Sequence, residues 1–272
     1  MGINATSHHI PSIAAADRVN TPSPVAVTRT VEVHNAAELN AALANVQSGT
    51  EIHMADGVYQ GNFELANKTG VTLSGSPNAV LKASDGYALH LQNSSNNSLQ
   101  GFTVDGGRVG IMLDQSNGNT LSQLTVQNTG NEGIHFRDSS SNNTLQHSNI
   151  HDTGLVNAGF GEGVYIGSAD HNNAHDYSNN NSIINNTISH TGAESIDVKD
   201  HTEGGKIIGN IFDTTGMRGE HFANSAVDMK PDTKNYLIQD NTTRGIGLGA
   251  AIRDITTHGG SNSSNQIHDN QI

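Results

Sequence analysis

The feature that most constrains this chain is a short motif that keeps returning, two apolar residues flanking one variable residue. Ile52-His-Met54, Val71-Thr-Leu73, Leu89-His-Leu91, Ile111-Met-Leu113, Ile134-His-Phe136, Val164-Tyr-Ile166, Ile196-Asp-Val198 and Val227-Asp-Met229 all carry it. Alternation with period two is what a strand with one buried face requires. From Leu89 onward the triplets start 22, 23, 30, 32 and 31 residues apart. A second apolar group follows most of them, for example Leu99/Phe102/Val104, Leu121/Leu124/Val126 and Ile207/Ile211. Short strands that recur every 20 to 30 residues or so make a solenoid, in which each coil buries its apolar face only by stacking on the next.

Composition fits the corners of such a stack. The 272 residues include 33 Asn and 30 Gly. Asn tolerates the left-handed backbone of tight corners, and its amides can stack from coil to coil. With no Cys there is no disulfide scaffold, thiolate metal site or cysteine nucleophile. The formal charge of −13 argues against nucleic acid as a partner. No run approaches the roughly 18 to 20 apolar residues of a membrane span, so no transmembrane segment is expected.

Residues 1–30 read as a flexible leader. The start Met1-Gly-Ile-Asn-Ala-Thr6 is rich in small polar residues, has no acid before Asp17, and loosely resembles the leader of a bacterial type III effector. It also fits a myristoylation pattern through Gly2. Secretion by a route other than the general one is the corresponding expectation. Val31-Glu-Val33 then reads as a strand, and Asn35 with Glu38 as the start of a helix over residues 35–48, whose apolar face is Leu39, Ala42 and Leu43.

With these elements in place, the chain resembles the right-handed parallel β-helix proteins of the pectate-lyase-like superfamily, related to polysaccharide lyases. The likeness is carried by Gly161-Glu-Gly-Val-Tyr-Ile-Gly-Ser168, Ala193-Glu-Ser-Ile-Asp-Val-Lys199, Gly204-Gly-Lys-Ile-Ile-Gly-Asn-Ile-Phe212 and Ser225-Ala-Val-Asp-Met-Lys230. It covers residues 31–272 and implies one all-β domain of about nine right-handed coils, capped at its N-terminal end by the helix. The superfamily holds lyases, hydrolases, epimerases and adhesins, so fold alone does not choose an activity.

Register supplies a candidate site. If the apolar residues point inward, the middle residue of each triplet and the residue after it point to solvent, with coils about 4.8 Å apart. That gives the outward pairs His90/Gln92, Met112/Asp114, His135/Arg137, Tyr165/Gly167, Asp197/Lys199 and Asp228/Lys230. Glu132, Glu162 and Glu194 each precede a triplet by two residues and stack along one edge. Like charges at that spacing need a counter-charge. Ca²⁺, a hard cation that accepts a flexible set of oxygens, is one answer, with Glu162, Glu194, Asp197 and Asp228 as ligands. Hydrogen bonds from backbone N–H groups at the strand starts are the other. His8-His9 and His171-Asn-Asn-Ala-His175 read as solvated segments.

An acidic polysaccharide is the substrate such a strip suits. Eliminating across a uronate needs a neutralised carboxylate, a base for the C5 proton and an acid for the leaving oxygen. Lys199, Lys230 and Arg137 are the cationic candidates. In the lyases this chain resembles, a Lys or Arg commonly acts as base beside calcium-binding Asp residues, which points to Lys199. Arg137 and Lys230 would then hold substrate carboxylates, and His135 or Tyr165 would serve as acid or as an alternative base. A hydrolase using Asp197 and Asp228, an epimerase and a non-catalytic glycan- or host-binding β-helix stay open. The polygalacturonase segments Asn-Thr-Asp, Gly-His-Gly and Arg-Ile-Lys are missing.

Overall fold

A computed structural model describes residues 25–169, 175–217, 225–245, 250–255 and 264–272. Most of the leader, with Gly2, His8 and His9, lies outside the described residues, as does His171. The chain winds into a right-handed parallel β-helix with three sheets of 10, 8 and 8 strands. Every pairing is parallel and joins one coil to the next. Each of eight coils gives one strand to each sheet, and Gln266–His268 begins a ninth.

The triplets do not all lie on one sheet. Those from Leu89 to Val227 do, in the register expected, with Ile134 paired to Val164, Val164 to Ile196 and Ile196 to Val227. The Ile52 and Val71 triplets belong instead to the 10-stranded sheet, where Ile52 pairs with Leu73. The strand that continues the Leu89 series toward the N-terminus is Phe63–Ala66, and toward the C-terminus Ala250–Asp254. All three sheets bury alternate side chains, so the same triplet recurs on each of them.

The inward residues fill one continuous core from Val33 to Ile238. The helix Ala36–Asn45 seals its N-terminal end by burying Leu39 and Leu43. Its start is fixed as expected: the Asn35 side chain accepts the Glu38 N–H at 3.0 Å, and Glu38 reaches back to the His34 N–H at 2.8 Å. Two Asn ladders lock the corners. Asn97, Asn119 and Asn143 each pass an amide hydrogen bond to the next coil at 3.1 Å, a run that ends on Asn181, and Asn186, Asn210 and Asn241 do the same at 2.9 to 3.1 Å, ending on Asn270. These amides are largely buried and fully used, which is the condition for burying them at all.

Candidate active site

The outward face of the 8-stranded sheet that carries the Leu89 to Val227 triplets holds the candidate site, and its strands alternate as the sequence implies. Up one column run His90, Met112, His135, Tyr165, Asp197, Asp228 and Arg253, each the direct partner of the one below. Up the neighbouring column run Asp114, Arg137, Gly167, Lys199 and Lys230, and the ladder carries on past the strand ends through Lys199 N–H to Ile166 and Lys230 N–H to Val198. The expectation that these side chains simply face solvent needs correcting. Met112, His135, Asp197 and Asp228 are buried although they point out of the coil. Side chains one coil apart cover one another, and two returns of chain flank them. Residues 152–161 fold over Gly130 through the N–H groups of Val156 and Asn157, and Asp176 is pinned by the N–H groups of Asp138 and Ser139 at 2.9 Å each.

A third column lies along the edge. Glu132, Glu162 and Glu194 are buried there, with Ser225 in the equivalent place one coil further up. Gly133 and Gly163 let the backbone hug the core at this bend, since a Cβ would come within 2.7 and 2.5 Å of the Ile150 and Ile188 methyl groups. Carboxylate atoms of Glu162, Glu194 and Asp197 lie within 4.8 Å of one another. Glu162 Oε2 and Glu194 Oε1 are buried with no hydrogen-bond partner among the described residues, as is Ser225 Oγ one coil further up. Buried oxygens without partners are uncommon in folded proteins, and each calls for a water, an ion or a proton.

The charges differ along the strip. At the lower end Arg137 donates Nε and Nη2 to the two oxygens of Asp114 at 2.8 Å each, and His90 Nε2 lies 3.0 Å from the same carboxylate. Burial would raise Asp114, but these hydrogen bonds outweigh it and hold the carboxyl well below its usual range. At the upper end Asp228 is clasped by Arg253 and Lys230, and it too is lowered against its burial. Between them the balance reverses. Burial, with Asp197 nearby, pushes Glu162 well up and Glu194 to about 7. Glu132 is raised by burial, and Asp197 is raised by burial against the opposing pull of Lys199 and Lys230.

In the middle sit the groups with proton-transfer chemistry. Lys199 Nζ is 2.5 Å from Asp197 Oδ2 and 4.6 Å from the centre of the Tyr165 ring. The Tyr165 ring packs edge-on against His135, centroids 4.4 Å apart. Burial, with Asp197 and Glu162 beside it, keeps the Tyr165 hydroxyl firmly protonated. His135 is held down to about 4 by burial. Its Nε2 bonds the Gly167 carbonyl at 2.8 Å, so that nitrogen carries the proton.

Of the residues picked out from sequence, Lys199, Tyr165, His135 and Asp197 lie together, with Glu162 and Glu194 alongside. Arg137 lies on the coil below Tyr165, and Lys230 bridges Asp228 and Asp197, the latter at 3.6 Å. Asp228 stands apart from the acidic cluster, engaged by two cations. Sequence reasoning missed Arg253, because Ile252-Arg-Asp254 lacks the second apolar residue. The 25-residue step from Val227 to Ile252 was the signal that could have found it. His175 lies beyond the strip, 4.0 Å ring to ring from His201.

Fold and strip together define a right-handed parallel β-helix of the pectate-lyase-like superfamily. The chain belongs to the family described as NosD, periplasmic copper-binding protein, whose model matches residues 18–176. It is similar to an alginate lyase from Paenibacillus sp. str. FPU-7, at 28% identity over 90% of this chain and 95% of that one with a TM-score of 0.76. A pectate lyase from Paenibacillus sp. 0602 shares the fold at 12% identity, covering 85% of this chain and 73% of that one with a TM-score of 0.60. So does a surface adhesin of Streptococcus pneumoniae at 11% identity, covering 80% and 76% with a TM-score of 0.52. No curated protein matches the chain. No helix among the described residues is long and apolar enough to cross a membrane.

The donor atoms discriminate between the metals these likenesses suggest. Copper favours sulfur and imidazole nitrogen, and the buried cluster offers three carboxylates. It does not fit copper. Three carboxylates are the oxygen donors that a hard cation takes, and Glu162, Glu194 and Asp197 would hold one.

Proposed function

We propose that this protein is a polysaccharide lyase that cleaves a uronic-acid polymer of the alginate class by β-elimination. The observation that carries the reading is the meeting, on one rigid sheet, of the Lys199 amine with a phenol kept protonated by its surroundings. The similarity to an alginate lyase supports the substrate class.

In this reading Lys199 takes the C5 proton, electrons from the broken C5–H bond form the C4–C5 double bond, and the C4–O bond breaks. The leaving oxygen receives its proton from Tyr165, whose ring lies under Lys199 and whose hydroxyl stays protonated. His135 is the weaker candidate for the acid: it is neutral, and its single N–H is committed to Gly167. It shapes the floor under Tyr165 instead. Arg137 and Lys230 bind substrate carboxylates, which holds the polymer across the coils of Tyr165 and Lys199. Glu162, Glu194 and Asp197 are the ligands of a divalent cation such as Ca²⁺, which when bound would withdraw charge from the substrate carboxylate. Asp228 contributes by orienting Lys230 and Arg253.

A hydrolase reading needs a second free carboxylate opposite Asp197. Asp228 is fully buried and clasped by two cations, so it is poorly placed for that role. The enzyme acts outside the cell in this reading, where such polymers occur. Incubation with alginate, pectate and glucuronan, with and without Ca²⁺, tests it. A rise in the ultraviolet absorbance of unsaturated uronates is expected on alginate. Reducing ends without that absorbance would make it a hydrolase, and binding with neither would make it an adhesin.

A further inference from the structure

The strip carries two guanidinium groups built alike, one near each end. Arg137 gives Nε and Nη2 to both oxygens of Asp114, and Arg253 gives Nε to Asp228 Oδ1 at 2.9 Å and Nη2 to Oδ2. In each pair the Asp belongs to the coil beneath the Arg. Each Asp also takes a second partner, His90 at the lower end and Lys230 at the upper. The two Arg side chains are 32% and 30% exposed, while their Asp partners are 11% and 0% exposed. Each fork is therefore anchored from beneath, and about a third of each Arg side chain stays exposed.

Anchoring matters because a guanidinium has five N–H donors and the buried Asp uses only two, with one further contact, from Arg137 Nη2 to the Tyr87 hydroxyl at 3.4 Å. The rest can grip a second, planar carboxylate bidentately, which an ammonium cannot do. A fork already fixed by one carboxylate also loses little rotamer freedom when it meets another. Had the pairs served only to neutralise buried Asp, a shielded Arg would have sufficed.

Their spacing points to the ligand. From the coil of Arg137 to the coil of Arg253 is four steps of about 4.8 Å, or about 19 Å. Tyr165 and Lys199 sit on coils between them. A 1,4-linked hexuronate chain advances per sugar by nearly as much as the sheet does per coil. We infer that Arg253, oriented by Asp228, is a carboxylate clamp that works with Arg137, so that the protein grips an acidic polysaccharide at two uronates about four sugars apart, with the scissile bond between them. This rests on the lyase reading above. Its consequence is internal cleavage, with short oligomers unable to reach both clamps.

The test uses the full chain and alginate-derived oligouronates of defined length, from trimer to octamer, with turnover and binding of a fluorescently labelled octamer measured separately. For the parent, KM should fall with length up to about five sugars and then level. Arg253→Lys keeps the charge and removes the fork; KM for the octamer should rise about tenfold, with the octamer-to-trimer KM ratio moving toward one and kcat changing much less. Arg137→Lys should move the same ratio. Arg253→Gln takes the place of the Lys variant if circular dichroism shows that the latter does not fold. An equal change in KM at every length, or none, overturns the clamp while leaving the lyase intact. If the parent cleaves nothing but its octamer binding weakens about tenfold in Arg253→Lys, the lyase reading falls and the clamp stands. An octamer that does not bind the parent at all overturns the clamp as well.

Discussion

Asp197 and Asp228 are direct partners on neighbouring coils, followed two residues later by the same Lys, yet their carboxyls are driven in opposite directions. Burial penalises both. Asp228 recovers more than it loses because a guanidinium and an ammonium both bond to it. Asp197 has ammonium groups on one side and, on the other, Glu162 and Glu194, which have no cation in contact among the described residues. The ends of the strip are thus finished electrostatics and its centre is unfinished. A buried charge left short of partners is costly, so the centre is where a substrate, a cation or a proton has most to contribute.

The sharpest way to break this contrast is at the centre. Lys199→Ala should lower turnover by about 10³-fold, in the range expected for loss of a general base, with fold and substrate binding kept. Near-parental turnover on a polymer the parent cleaves would move the base to His135, Tyr165 or Lys230. Next in size is a stability comparison by urea unfolding. Asp228→Asn strands two partly exposed cations and should cost about 2 to 3 kcal/mol, while Asp197→Asn should cost less than about 1 kcal/mol, because ionised Asp197 is already penalised. Equal losses would erase the distinction between end and centre.

Protons sharpen it further. Glu194, raised from 4.5 to about 7, keeps its proton in the folded protein where the unfolded chain has released it. Its contribution to stability therefore falls as pH rises from about 4.5 to about 7, by at most about 1.4 kcal/mol per pH unit. His135, held down to about 4, acts the other way between about 4 and 6.5, since there only the unfolded chain takes up the proton. Comparing the parent with Glu194→Gln cancels the histidine. The variant should gain relative stability across the glutamate's window, and saturating Ca²⁺ should restore the parent above pH 7. Parallel profiles, unmoved by Ca²⁺, would leave Glu194 a structural acid. The smallest effect is at the boundary of the two regions, where Lys230→Ala should raise KM several-fold with kcat little changed.

The architecture was legible because it is periodic. Stacking forces each strand to repeat its inward pattern, so the Leu89 to Val227 series and its register can be read from spacing, as can the capping box at Asn35 and Glu38. The assignment of triplets to sheets was less legible. Ile52-His-Met54 and Phe63-Glu-Leu65 look alike, and only pairing separates them. The site was legible in one dimension. Period-two alternation puts Asp197 and Lys199 on the outward face, but cannot say that the carboxylates of Glu162 and Glu194 converge on Asp197 while Asp228 turns to Arg253. That depends on which neighbour one coil away offers an opposite charge, and Arg253 sits where the apolar rhythm breaks.

The asparagine ladders have a consequence for how such a protein can change. Coils from Asn97 to Asn181 hand on an identical amide at one corner and coils from Asn186 to Asn270 at another, so the stack is a rack with fixed slots. A chain segment can swell at a corner, as residues 152–161 do, without shifting any slot. Distances along the strip can then be retuned only in whole steps of about 4.8 Å, by gaining or losing a complete coil, while reach across the strip can be adjusted one side chain at a time. Length preference and bond chemistry are in this way separately heritable, the first written in the number of coils between two arginines and the second in a handful of residues on the coils they bracket.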